Sequence, residues 1–123
     1  MNLDSYDIYN VLERVRKRPG LYIGEENLNS LLVYIGGYSG AMMDAKIACV
    51  SKPEFGGFHE FVREKYGYSE STMGWANMIL ASTLGLDPKN IRWENYDNDV
   101  SREQYKESIN VFYKLLDEFK KNT

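Results

Sequence analysis

With 123 residues, 43% of them hydrophobic and 27% charged, the chain has the size and balance of one folded domain, and disorder is excluded as the expectation. A net charge of −3 argues against a general nucleic-acid binder, which would show a basic field. The one cysteine, Cys49, excludes an internal disulfide and a cysteine-based zinc site, and no apolar run approaches a membrane span. Met1 to Ser5 lack a basic region followed by an apolar stretch, so no secretory leader is expected and the cytoplasm is the expected compartment.

Five segments carry helical periodicity. In the first, Ile8, Val11, Leu12 and Val15 recur at three- and four-residue steps, with Asp4 or Ser5 placed to cap its start. Arg16, Lys17 and Arg18 crowd its end, where positive charge suits the negative pole of the helix dipole, and Pro19-Gly20 stops it. Leu21-Tyr22-Ile23 then reads as a short extended piece closed by Gly24, carrying Leu21 and Ile23 into the core. The second helix places Leu28, Leu31, Leu32, Ile35, Tyr38 and Met42 on one face. Gly36, Gly37 and Gly40 lie inside it, and each costs about 1 kcal/mol against alanine. Close packing of another element against a bare helix surface would offset that cost; a kink is the alternative.

Residues 46–54 read as a loop with Pro53 marking its end. The third helix uses Phe55, Phe58, Phe61, Val62 and Tyr66 and stops at Gly67, a residue suited to the left-handed position after a helix. The fourth starts near Ser69 or Ser71, buries Trp75, Met78 and Ile79, and ends at Gly85. An acidic, asparagine-rich connection over 86–100 leads to the fifth helix, where Ser101 and Gln104 form a capping box. Tyr105, Ile109, Phe112, Leu116 and Phe119, widened by Leu115, make its core-facing stripe. Lys106, Glu107, Lys114, Asp117 and Lys120 occupy its other faces. The expected fold is all-α: one helical domain over 1–123, a compact orthogonal bundle of about five helices, with at most a minor strand near 21–23.

Residues able to do chemistry are few. His59 is the only histidine, and Phe58, Phe61 and Val62 define the buried side of its helix, which leaves it on the surface beside Glu60 and Glu64. Cys49 lies across a loop from it with no signature around it, and no serine sits in a nucleophile-elbow pattern. One histidine with scattered carboxylates gives no metal-ligand spacing. Over Glu94 to Asp99 a calcium loop is suggested and then refused: with Asp97 as first position, the sixth is Arg102 and the twelfth Ser108, where glycine and glutamate are needed. No catalytic residue, metal site or cofactor is therefore expected. The same stretch suits a basic protein partner, because Trp93 and Tyr96 supply contact area while Glu94, Asp97 and Asp99 steer the encounter. A solvated loop leading to a capped helix is the plainer alternative. Arg16, Lys17 and Arg18 likewise read either as a solvated helix end or as a patch for an acidic group.

The run Arg14-Val15-Arg16-Lys17-Arg18-Pro19-Gly20-Leu21-Tyr22-Ile23-Gly24 resembles a segment near the start of the DNA gyrase B subunit and its relatives, whose ATPase domain carries Arg-Pro-Gly-Met-Tyr-Ile-Gly. In that family the next helix supplies a glutamate that activates water and an asparagine that holds the nucleotide's magnesium. Here it reads Leu31-Leu32-Val33-Tyr34-Ile35-Gly36-Gly37-Tyr38, without either, and the glycine-rich motifs that close over ATP are missing. The local resemblance therefore does not imply an ATPase.

A wider resemblance spans nearly the whole chain. Arg18-Pro-Gly-Leu-Tyr-Ile-Gly24, Gly37-Tyr38, Phe58-x-x-Phe61-Val62, Tyr66, Gly74-Trp75-x-x-Met78-Ile79 and Phe112-x-x-Leu115-Leu116-x-Glu118-Phe119, taken in order, resemble a group of small bacterial proteins. In size and helical make-up that group is similar to the immunity proteins carried beside secreted polymorphic or contact-dependent toxins. The resemblance implies a cytosolic protein that binds one toxin domain and blocks it; the residue reading of the acidic stretch makes Trp93, Glu94, Tyr96, Asp97 and Asp99 the expected face. Two other readings stay open. One is a homodimeric regulatory or scaffold domain, pairing through the last helix or the glycine face of the second. The other is an enzyme with an unfamiliar site drawing on Arg18, Tyr22 or His59.

Overall fold

A computed structural model describes residues 4–69 and 73–121. Its first helix, α1 (Ile8–Lys17), buries Ile8, Val11, Leu12 and Val15, as their spacing predicts, together with Tyr9. Its cap is Asp7, not Asp4 or Ser5: the Asp7 backbone is extended and its carboxylate accepts from the Tyr9 N–H at 2.9 Å. The start is displaced because the preceding residues are used otherwise. Strand β1 (Ser5–Tyr6) pairs in parallel with β2 (Ala48–Cys49), Ser5 opposite Ala48 and Tyr6 opposite Cys49. These two strands make the one small sheet among the described residues, and part of the expected 46–54 loop belongs to it.

The minor strand expected near 21–23 is instead helical. Arg18 leaves the helical region (φ −142°), and α2 (Pro19–Ile23) begins at once with proline in its first position, where a missing N–H costs nothing. In an extended piece Leu21 and Ile23 would share a face; in a helix Pro19 and Ile23 do. Leu21 is accordingly turned out, 69% exposed, while Tyr22 and Ile23 are half-buried against the core.

Helix α3 (Leu28–Asp44) is capped by Asn27, whose side-chain oxygen accepts from the Ser30 N–H at 2.8 Å. Its buried face is narrower than the sequence predicts. Leu28, Leu31 and Ile35 are buried, but Leu32 is 41% exposed, and Val33 and Met43, at 66% and 76%, face solvent. The second half is held instead by ring contacts. Tyr22 meets Tyr34 at 6.2 Å, Tyr34 meets Tyr38 at 6.2 Å, and Tyr38 meets Tyr6 of β1 at 5.6 Å. The expected close approach to Gly36, Gly37 and Gly40 is not found: nothing lies within 4 Å of where a Cβ would stand at any of them. The helix runs unbroken through all three.

A 3-10 turn at Phe55–Gly57 leads into α4 (Phe58–Tyr66), which ends on Gly67 in the left-handed conformation (φ +78°). Helix α5 (Gly74–Thr83) starts later than Ser69, which stands outside any helix, and the alternative start at Ser71 lies outside the described residues. Trp75, Ala76, Met78, Ile79, Leu80 and Ala81 are all buried, because α5 packs against α3, α4 and α6 (Arg102–Lys121) together. The reciprocal cap of α6 is formed as expected: Ser101 N–H donates to Gln104 Oε1 at 2.9 Å, and Gln104 N–H to Ser101 Oγ at 3.1 Å.

Where α4, α5 and α6 meet, the fully buried Phe58 ring touches Phe55, Phe61, Trp75, Phe112 and Phe119, at centroid distances from 5.4 to 6.3 Å. The architecture is mainly helical and compact, with six helices among the described residues where about five were expected; the extra one is α2. Among those residues no helix is long and apolar enough to cross a membrane.

Candidate functional site

The connection over 86–100 is a series of turns fixed by its own side chains. Asp87 accepts from the Lys89 N–H and from the Asn90 amide, each at 3.0 Å, and these bonds, the backbone one foremost, hold its carboxyl below the ordinary range. Asn95 adopts the left-handed conformation (φ +58°), which asparagine tolerates better than most residues. The Trp93 indole stacks on Tyr68 at 5.9 Å and meets the Tyr96 ring edge-on at 5.2 Å. Tyr96 Oη donates to Asn77 Oδ1 on α5, and burial, reinforced by the nearby Asp97 charge, pushes its phenol pKa up.

The five residues singled out from sequence thus share one segment but divide their roles. Trp93 and Tyr96 are half-buried and fasten the segment to the body. Glu94, Asp97 and Asp99 are exposed and make no ion pair among the described residues.

The basic run takes a different place. Arg16 pairs with Asp117 of α6 at 3.3 Å, while its guanidinium lies 4.9 Å over the Tyr113 ring. Arg14, Lys17 and Arg18 are exposed and unpaired among the described residues. Pro19 and Ile23, from the gyrase-like run, form part of a cleft of about 430 Å³ whose opposite wall is α6. Sequence reading missed this cleft because its walls lie some ninety positions apart. Tyr113 carried a usable signal: four residues after Ile109 and three before Leu116, it belongs to the buried stripe.

His59 is half-buried on α4, which packs on α5 and α6, whereas Arg18 and Tyr22 belong to the α1–α2 corner packed on α3. No hydrogen bond, ion pair or ring contact joins His59 to Arg18 or Tyr22 among the described residues. Cys49 is exposed on β2, with its thiol 3.2 Å from Ser51 Oγ. Partial burial pushes that thiol up, but hydrogen bonds involving Ser51, Tyr6 and Ile8 outweigh it and leave the pKa lowered. Ser51, which carried no sequence signal, is buried; its Oγ donates to Asp7 at 2.9 Å and accepts from the Ile8 N–H at 2.8 Å. That small network locks β2 onto the start of α1. Among the described residues no three His, Cys, Asp or Glu side chains are arranged to hold a metal ion.

Comparison of the chain with protein-family models, with curated proteins and with solved structures gives no significant match.

Proposed function

We propose that the chain is a cytosolic immunity-type protein that binds a cognate toxin domain and blocks it by covering a basic surface. The observation that carries this reading is the 86–100 segment. Three carboxylates, Glu94, Asp97 and Asp99, are exposed without an ion pair among the described residues, on a backbone pinned through Trp93 and Tyr96. A surface fixed before the encounter loses little freedom on binding, and its charge speeds the approach of a basic partner. Blocking requires no bond to be made or broken by the inhibitor. The choice of a toxin as the partner is supported by the resemblance to a group of small bacterial proteins that share the size and helical make-up of immunity proteins.

The test is to identify the adjacent gene and, where it encodes a secreted toxin, to co-express the chain with that toxin domain. Rescue of growth and co-purification are the expected results, and the Glu94→Lys, Asp97→Lys, Asp99→Lys triple variant is expected to fold but lose both. Continued killing with no co-purification of the unaltered chain would sink the proposal.

Self-pairing is a second reading, favoured by α3. Leu32, Gly36, Gly40 and Met43 recur at helical spacing on one exposed, uncharged face, with Val33 beside it. A glycine surface lets a second helix approach closely. Light scattering across a concentration series decides: a dimer dispersed by Gly40→Glu supports pairing, and a monomer at all concentrations removes it.

A further inference from the structure

The cleft between the α1–α2 corner and α6 has a makeup of its own. Val15, Leu31, Ile109 and Tyr113 form its floor, all buried, and the half-buried Pro19 and Ile23 stand in its wall. At about 430 Å³ it falls within the rough range of 300–1,000 Å³ typical of small-molecule sites. Two ion pairs bridge it from wall to wall: Arg16 to Asp117 at 3.3 Å and Lys106 to Glu26 at 3.7 Å. Lys106 and Asp117 are eleven residues apart on α6, so the bridges stand about 16 Å apart along the helix axis.

Between them, on the same side of α6, lie Asn110 and Lys114. Lys114 has no carboxylate partner among the described residues, and the Asn110 amide has only a 3.5 Å contact with Glu107. Both rim carboxylates are already matched to cations across the cleft. Arg16 also has Glu13, outside the lining, at 3.7 Å, so Lys114 is the one cation of the lining with no carboxylate partner among the described residues, and it stands above an apolar floor. A cation would be repelled there, and a dianion would have to break a bridge to gain its second partner.

We infer that this cleft binds a small organic monoanion: a compact apolar body carrying a single carboxylate or sulfonate, seated on Pro19, Ile23 and Ile109 with its charge at Lys114 and Asn110. The site is separate from the acidic segment and stands or falls independently of the immunity reading.

A suitable probe is 8-anilinonaphthalene-1-sulfonate, with the uncharged N-phenyl-1-naphthylamine as its control. Titration of the folded chain, followed by fluorescence and by amide chemical shifts, is expected to show one saturable site with shifts confined to residues around Ile23 and 106–117. 1-Naphthoate should compete for it. Lys114→Glu is a surface change that leaves the core intact, and it should weaken the sulfonate roughly tenfold through charge reversal. Lys114→Arg should retain it, Lys46→Glu should have no effect, and Ile109→Trp should block the floor. Unsaturable uptake, equal binding by Lys114→Glu, equal affinity for the uncharged control, or shifts on Leu32, Val33 and Met43 instead would each overturn the inference.

Discussion

The hydroxyl of Tyr113 donates to the Leu12 carbonyl at 2.8 Å while Arg16 lies over the face of the same ring, so one side chain ties α6 to α1 twice. Tyr113→Phe keeps the ring and deletes one buried hydrogen bond, so it should cost about 0.5–1.5 kcal/mol in urea unfolding. Tyr9 gives a pH signature. Burial, followed by the nearby charges of Asp7 and Cys49, pushes its phenol pKa up to about 12 from the ordinary 10.0. The folded state holds that proton more tightly than the unfolded chain does. The stabilisation is therefore complete below about pH 10 and is lost as pH rises through about 12. Urea midpoints measured across that interval should fall, and they should fall less steeply for Tyr9→Phe.

At the scale of elements, the glycines of α3 make the sharpest claim. Gly36, Gly37 and Gly40 are helical with open space at each Cβ position, so alanine should stabilise the isolated chain by roughly 0.5–1 kcal/mol at each site. Gly67→Ala should do the opposite, since the left-handed φ of +78° disfavours a side chain there. Thermal unfolding of the four single variants checks both signs. The contrast also shows what the sequence made legible. The cap and most of the stripe of helix α6 were readable, because they are encoded within twenty consecutive residues; the burial of Ser108 and Tyr113 was not read. The α1 cap, β1 and the narrow face of α3 were not legible. Each depends on a partner distant in the chain: β2 claims Ser5 and Tyr6, and the tyrosine series replaces an aliphatic stripe on α3. Residues 19–23 misled for another reason, since one turn is too short for extended and helical periodicities to be told apart.

For the molecule as a whole, the aromatic cluster around Phe58 concentrates the cohesion of α4, α5 and α6. Phe58→Ala removes a fully buried ring and should cost about 3–5 kcal/mol, a large part of the roughly 5–15 kcal/mol that stabilises a typical domain. Loss of near-ultraviolet circular dichroism with helical signal retained is the expected outcome; a native-like melting curve would contradict it. The site was less legible than the fold. The acidic segment announced itself through composition, but the inward role of Trp93 and Tyr96 depends on Tyr68 and Asn77, which no local pattern connects to it. The cleft was invisible for the same reason, being made where a proline-containing corner happens to face the last helix.

The two tryptophans divide the molecule into independently observable parts. Trp75 is packed among Phe55, Phe58 and Phe112 in the interior, whereas Trp93 is partly open to water where the 86–100 segment rests on Tyr68. A Trp75→Phe variant leaves an emitter that reports only on seating of the acidic segment, and Trp93→Phe leaves one that reports only on the interior. Acrylamide quenching of the two would separate lift-off of that segment from melting of the whole, within a single unlabelled chain.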